Sequence, residues 1–272
     1  MPEARVGGAR LHYLDEGTGD PALVLLHAFP LRAAMWAPQL DTLAPLTRVV
    51  APDLVGFGGS DAPEDPAAYS VEGWADQVAG LCDHLGLDRV VVAGLSMGGY
   101  AALAFLRRHP HRLAGLALAD TRPGADAPEV AERRRRQIDQ IRRDGTQGVI
   151  ETLLAGLLGD HTRRHRPEVV ATARSLMDSA PAGLVGALDA MIRRPDAGAD
   201  LGRVAVPATV VVGDQDTLSP IEVARGMHER TPGAHLAVIP GAGHLSSLEA
   251  PGPFSAALAN LVARSRRPGG HH

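Results

Sequence analysis

Lysine is missing altogether from this 272-residue sequence, and all 27 of its basic residues are arginine. Enzymes that form a Schiff base, Ser–Lys dyads and Walker-type phosphate loops each depend on a lysine amine. The absence of lysine therefore excludes these three classes before any motif is considered. Cysteine is nearly absent as well: the single Cys82 excludes an intrachain disulfide and a metal site built from several cysteines.

Long apolar runs and a strong net charge are also missing. No stretch approaches the roughly 18 consecutive apolar residues of a membrane-spanning helix, and the N-terminal segment lacks the apolar centre of a signal peptide. The formal net charge is only −4. We therefore expect a cytoplasmic protein with neither a membrane nor a nucleic acid as its partner.

The patterns that are present indicate one α/β domain interrupted by a helical insertion. Two alternating runs around Gly7-Gly8 predict a β-hairpin over Ala4–Glu16. Apolar runs typical of strands buried on both faces of a mostly parallel sheet lie at Ala22–Leu26, Arg48–Ala51, Val90–Ala93, Leu113–Ala119, Thr209–Val212 and Leu236–Ile239. Helical patterns cover Val71–Leu85, with Ser70 as the N-cap, Met97–Arg108, Ile221–Glu229 and Pro253–Arg264.

Residues 122–200 contain helical periodicity and no strand signal, which predicts a helical cap inserted into the α/β core. The core then comprises residues 1–121 and 201–268. Residues 269–272 are interpreted as the remnant of a purification tag.

The charged residues of this insertion favour a solvated surface. It has 13 arginines against 12 acidic residues, so the run Arg133–Arg136 does not make it a nucleic-acid site. Favourable i,i+4 ion pairs are expected for Glu129/Arg133, Glu132/Arg136 and Asp139/Arg143. His161 and His165 have the spacing of a metal pair but no evident third ligand, so no metal site is expected.

The most specific motif is Gly94-Leu95-Ser96-Met97-Gly98, which follows an apolar strand and opens a helical pattern. A serine on a sharp strand-to-helix turn needs very small residues two positions before and after it. This context predicts a nucleophile elbow with Ser96 as the nucleophile.

A serine hydroxyl needs a base, and the base needs a carboxylate that orients it. His244 follows the last predicted strand, and Asp216 follows the strand before it. Asp120 also ends a predicted strand and is the alternative acid. Catalytic groups of open α/β sheets collect at these carboxyl ends.

With these residues the sequence resembles the α/β-hydrolase family over nearly its whole length, and within it the bacterial enol-lactone hydrolases and carboxylesterases. The resemblance is carried by Leu25–Pro30, Asp53–Ser60, Gly94–Gly98, Gly213–Asp216, Gly243-His244 and the order of Ser96, Asp216 and His244. It implies the α/β-hydrolase fold, with a mostly parallel sheet, helices on both faces and a helical cap. It also implies an oxyanion hole formed by the backbone N–H groups of Phe29 and Met97. His27 and Asp53 are interpreted as structural.

The expected function is serine hydrolysis of carboxylic esters or lactones through an acyl-enzyme, without a cofactor. The same triad could instead hydrolyse C–C bonds, form peracids or transfer acyl groups, and the fold could serve as a ligand-binding receptor with vestigial hydrolysis. The balanced charge of the insertion gives no evidence of a fixed cation, so small, soluble esters or lactones with short to medium acyl groups are the expected substrates.

Overall fold

The computed structural model describes residues 2–266, so the predicted tag remnant lies outside the described residues. Within this range the chain forms one sheet of eight strands in the order β1-β2-β4-β3-β5-β6-β7-β8. The strands are β1 (Glu3–Val6), β2 (Ala9–Glu16), β3 (Ala22–Leu26), β4 (Val49–Pro52), β5 (Val90–Leu95), β6 (Leu113–Ala119), β7 (Ala208–Gly213) and β8 (His235–Ile239). Every predicted strand is confirmed, with ends that differ by at most two residues.

The hairpin and the direction of the strands follow from local sequence. Gly7 and Gly8 have φ values of 56° and 88°, the left-handed conformation that a tight two-residue hairpin loop requires. β1 and β2 pair antiparallel, β2 pairs antiparallel with β4, and all other neighbours are parallel. The predicted mostly parallel sheet is thereby confirmed.

Helices cover both faces of the sheet because the central strands are apolar on both sides. One face packs against α2 (Val71–His84), α3 (Met97–Arg108) and α9 (Ile221–Arg230). The other packs against α1 (Ala37–Leu43) and α11 (Pro251–Ser265). Adjacent residues of a strand point to opposite faces, so Val24 and Leu25 lie in different cores.

Three details of the helices test the sequence interpretation. Ser70 caps α2 as predicted, since its hydroxyl accepts a hydrogen bond of 2.9 Å from the N–H of Gly73. The short α1 and the four-residue α10 (Ser246–Glu249) were not predicted. Cys82 is buried in α2, and burial raises the pKa of its thiol to about 12, in agreement with its assignment to the helix core.

Between β6 and β7 the described chain is helical, in agreement with the absence of strand signals. The helices are α4 (Pro128–Asp144), α5 (Gln147–Leu157), α6 (Asp160–His165), α7 (Pro167–Ser175) and α8 (Pro181–Arg193). We call residues 122–200 the insert. α8 packs tightly on the rest of the chain, because a Cβ on Gly183 would lie only 1.8 Å from the carbonyl oxygen of Gly56. Residues 2–266 include no helix with the length and apolarity needed to cross a bilayer.

Candidate active site

Ser96 occupies the sharp turn between β5 and α3, with φ 55° and ψ −111°. This left-handed backbone is costly for a residue with a side chain and persists only where packing enforces it. A Cβ on Gly94 would lie 2.1 Å from the carbonyl oxygen of Gly98, and one on Gly98 would lie 2.1 Å from that of Leu26. The two small residues of the motif are therefore required by close backbone approach, as the sequence predicted.

The predicted base and acid meet Ser96 in a chain of hydrogen bonds. The Oγ atom of Ser96 lies 2.8 Å from Nε2 of His244. Nδ1 of His244 lies 2.8 Å from one carboxylate oxygen of Asp216. The other carboxylate oxygen accepts hydrogen bonds of 2.8 Å and 3.0 Å from the N–H groups of Leu218 and Ser219. This arrangement orients the imidazole so that Nε2 faces the serine.

The charges and hydrogen bonds around Asp216 and His244 favour an ionised Asp216 beside a basic imidazole. Burial opposes ionisation of Asp216, but His244 and the N–H groups of Leu218 and Ser219 outweigh it and lower the pKa of the carboxyl. Burial likewise opposes the charged form of His244, but the Asp216 carboxylate outweighs it and raises the pKa of the imidazole. Arg122 acts in the opposite direction and lowers the pKa of His244.

Asp120, the alternative acid, lies near His244 and Asp216 but has other hydrogen-bond partners. It accepts a hydrogen bond of 2.8 Å from the N–H of Gly213 and another from the hydroxyl of Ser246. Burial and the negative charge of Asp216 raise the pKa of Asp120 to about 8. Of the two carboxylates, the structure thus brings Asp216 and not Asp120 into hydrogen-bond contact with His244.

The backbone donors at Phe29 and Met97 are available to a ligand. Phe29 follows β3 and lines the cavity above Ser96, while Met97 begins α3 next to the serine. Throughout residues 2–266, no hydrogen-bond acceptor is found for either N–H group. A helix N-terminus also favours developing negative charge.

His27 and Asp53 stabilise the loops around the site, as expected. The His27 side chain accepts a hydrogen bond of 3.0 Å from the N–H of Leu54 at Nε2 and donates one of 3.0 Å from Nδ1 to the carbonyl of Ala28. Both ring nitrogens are therefore engaged. Asp53 accepts hydrogen bonds from the N–H groups of Ala33 at 2.7 Å and Gly59 at 2.9 Å, and contacts Nδ1 of His12 at 2.7 Å.

Ser96 and His244 open onto a cavity of about 390 Å³ between the sheet and the insert. Its apolar wall includes Leu153, Leu157 and Met191, so part of the predicted leucine-rich core of the insert faces the cavity. The wall also carries Arg122, Arg133 and Arg134. The expectation that the insert offers no fixed cation was wrong, because a charge balance summed along a sequence does not report which side chains share one wall.

The ion pairs predicted along α4 explain in part why no cation was expected on the cavity wall. Glu132 and Arg136 pair at 3.7 Å, as expected. The pair Glu129/Arg133 is not formed within the described chain, and Arg143 pairs with Asp144 at 2.8 Å instead of Asp139. Arg133 is thereby free to line the cavity.

Sequence reasoning also missed Glu249, which connects the His244 loop to the insert. Its buried carboxylate accepts hydrogen bonds of 2.9 Å from the N–H of Gly243 and 2.8 Å from that of Gly159. Its backbone carbonyl accepts a further one from Arg166. A lone glutamate on a short helix carries no pattern that reveals such a role.

A family model described as the alpha/beta hydrolase fold matches residues 21–251, which is most of the chain. The chain belongs to the α/β-hydrolase family. The resemblance inferred from the elbow and from the order of its three residues is thus confirmed, and with it the fold class.

Three proteins similar to this α/β hydrolase are an esterase, an enol-lactonase and a methyl ester esterase. A structure of a thermophilic esterase from Thermogutta terrifontis with malate bound is 38% identical, has a TM-score of 0.93 and covers 98% of this chain and 100% of its own. The enol-lactonase from Burkholderia xenovorans LB400 is 28% identical, with a TM-score of 0.89 and coverage of 96% and 100%. A pimeloyl-[acyl-carrier protein] methyl ester esterase from Sodalis glossinidius is 33% identical over 92% of this chain and 97% of its own.

Proposed function

We propose that this α/β hydrolase cleaves carboxylic esters or lactones of small to medium size through an acyl-enzyme on Ser96. The observation that carries the proposal is the hydrogen-bond chain Ser96–His244–Asp216, with distances of 2.8 Å and 2.8 Å, at the floor of a cavity. Its similarity to an esterase, an enol-lactonase and a methyl ester esterase supports the same reaction class.

In the proposed mechanism His244 removes the proton from the Ser96 hydroxyl as its oxygen attacks the substrate carbonyl. Asp216 holds the imidazole in the productive tautomer and stabilises its protonated form. His244 then donates that proton to the leaving alkoxide, which releases the alcohol, or to the ring oxygen of an opened lactone. Water deprotonated by His244 attacks the acyl-enzyme, and the acid is released with Ser96 restored.

The backbone N–H groups of Phe29 and Met97 are proposed to bind the oxyanion that forms in each step. Fixed donors of this kind contribute about 3 kcal/mol each to lowering the barrier. Residues 122–200 are proposed to act as the cap over a core formed by residues 1–121 and 201–268, since α4, α5 and α8 supply cavity walls. Each step uses side chains and backbone of this chain, so the proposed mechanism requires no cofactor.

The pH dependence of kcat/KM is expected to follow the raised pKa of His244. The base must be neutral to accept the serine proton, so activity falls as the pH drops through that pKa. Because Asp216 raises the pKa of the imidazole, the acid limb should have its midpoint above the value of about 6.5 of an unperturbed histidine side chain. A kcat/KM profile between pH 5 and pH 9 with p-nitrophenyl acetate measures it.

Two variants make this pH experiment specific. Arg122→Gln removes a positive charge that lowers the pKa of His244, so the midpoint should move to higher pH. Arg136→Gln, which lies on α4 outside the cavity wall, should leave the midpoint unchanged. A wild-type midpoint at or below that of an unperturbed histidine side chain would contradict the raised pKa of His244.

Substrate size is expected to be limited by the cavity. Its volume of about 390 Å³ lies at the small end of ligand sites, and the insert bounds it opposite Ser96. Among p-nitrophenyl esters from acetate to palmitate, kcat/KM should be largest at short to medium chains. The Ser96→Ala variant supplies the background rate for each ester. A maximum at the longest chains would indicate a lipase instead.

A further inference from the structure

Two of the three arginines on the cavity wall, Arg122 and Arg133, lack the acidic partners that accompany most arginines among residues 2–266. Arg122 forms no ion pair in the described chain; its guanidinium donates a hydrogen bond to the carbonyl of Leu218. Arg133 has neither an ion-pair nor a hydrogen-bond partner among residues 2–266, although Glu129 lies one helical turn away. Two guanidinium charges on the wall shared with Ser96 and His244 are thus uncompensated.

Within the described part of the chain one carboxylate lines the cavity, and it does not neutralise them. Asp126 is buried and bonded to Arg134 at 2.7 Å and to Arg194 at 2.8 Å. One negative charge therefore faces two guanidiniums, and burial leaves Asp126 no surface for a third. Arg194 also stacks on the ring of Tyr100, with the guanidinium carbon 4.0 Å from the ring centroid. The lining of the cavity is therefore positive overall, in a protein whose net charge is −4.

We infer that the ester or lactone substrate carries, in addition to its reactive carbonyl, a free carboxylate that binds to Arg133 and Arg122 while the carbonyl lies at Ser96. The inference rests on the proposed function and specifies its substrate class. A planar guanidinium matches a carboxylate with two parallel hydrogen bonds, and such charged bonds are stronger than neutral ones. A half-ester of a dicarboxylic acid has both features and fits a cavity of about 390 Å³.

Arg122 is proposed to help position the loop that holds Asp216 as well as to bind the substrate carboxylate. Its guanidinium bonds to Leu218, whose N–H donates to Asp216, so it contacts the loop that holds the acid. Arg133 lies on α4, makes no hydrogen bond to that loop among residues 2–266, and is exposed to solvent. Arg133 therefore gives the cleaner test of carboxylate binding.

The test compares two substrates of nearly equal shape and different charge. Methyl hydrogen glutarate carries a carboxylate where methyl glutaramate carries a neutral amide, and the succinate and adipate homologues vary the reach. The measured quantity is kcat/KM for the acid divided by kcat/KM for the amide, from methanol release at pH 8. We expect this ratio to exceed ten for at least one chain length, and to fall with added salt because part of the attraction is screened.

Variants then locate the binding group. Arg133→Gln should lower the ratio about tenfold, the effect expected for a lost hydrogen bond to a charged group. Arg136→Gln, on the same helix but paired with Glu132 outside the cavity wall, should leave the ratio within twofold of the wild type. Glutarate should inhibit hydrolysis of p-nitrophenyl acetate competitively, and more strongly than glutaramide or inorganic phosphate.

The outcomes separate the inference from the function on which it rests. A ratio near or below one at all three lengths, or a ratio that Arg133→Gln leaves unchanged, overturns the inference while ester hydrolysis stands. Hydrolysis of p-nitrophenyl acetate without hydrolysis of any of the three methyl hydrogen esters also overturns the inference and leaves ester hydrolysis standing. Stronger inhibition by phosphate than by glutarate would show that the acidic group is of another class. No turnover of any ester overturns both proposals.

Discussion

Replacing Ser96 with alanine is expected to reduce kcat for ester hydrolysis by about 10⁶-fold, the loss seen when a triad nucleophile is removed. Ser96 is the residue on which the elbow, the base at 2.8 Å and the cavity converge. The hydroxyl of Ser219 lies 3.4 Å from Nδ1 of His244, the nitrogen that faces Asp216, and so is not placed to give its proton to Nε2. Steady-state rates with p-nitrophenyl acetate measure the effect, and thermal unfolding establishes that the variant is folded.

A matched serine provides the control for this experiment. Ser175 is exposed on α7, and its hydroxyl donates to the carbonyl of Thr172 at 2.8 Å, away from the cavity wall. Ser175→Ala should retain the wild-type rate. Ester hydrolysis by Ser96→Ala within tenfold of the wild type would contradict the proposed mechanism.

The Asp216→Asn variant is expected to lose about 10⁴-fold in kcat. An amide in this position leaves the imidazole without a negative partner and favours the wrong tautomer, since Nδ1 of His244 lies 2.8 Å from the carboxylate. The pKa of His244 should fall at the same time, because Asp216 is the group that raises it. Rates measured across the pH range report both effects.

Asp120→Asn is the discriminating comparison and should cost less than about tenfold in kcat. Asp120 contacts Gly213 and Ser246 and not His244, so the loss of its charge leaves the imidazole with its partner Asp216. Burial and the charge of Asp216 raise the pKa of Asp120 to about 8, so its charged form is already disfavoured. An asparagine can accept from the N–H of Gly213 and donate to the hydroxyl oxygen of Ser246. If Asp120→Asn is severe and Asp216→Asn is mild, the acid follows β6 and the assignment of Asp216 is wrong.

The elbow could be predicted from sequence because its determinants are local. Strand, glycine, serine, glycine and helix follow one another over ten residues, and the two glycines are required by sterics at those points. His244 and Asp216 were predictable for a related reason, since parallel strands place their carboxyl ends at one edge of the sheet. The meeting of three residues far apart in sequence therefore follows from the strand pattern.

The cavity wall could not be predicted, because it depends on how the insert packs. Glu129 and Arg133 have the spacing of an ion pair, yet a pairing of this kind is worth only about 0.3–0.5 kcal/mol on an exposed helix and does not fix a side chain. The roles of Arg133 and Glu249 emerge only once α4, α6 and α10 are placed around the site. Short helices such as α1 and α10 were missed because one or two turns carry too little periodicity.

The most direct test of the central claim is to locate a fluorophosphonate adduct on the purified protein. Intact-mass measurement gives its stoichiometry, and peptide mapping gives its position. We predict one adduct per chain, on Ser96, lost in Ser96→Ala and slowed in Asp216→Asn in proportion to kcat/KM. An adduct on any other residue, or none in a protein that still hydrolyses p-nitrophenyl acetate, would contradict the account.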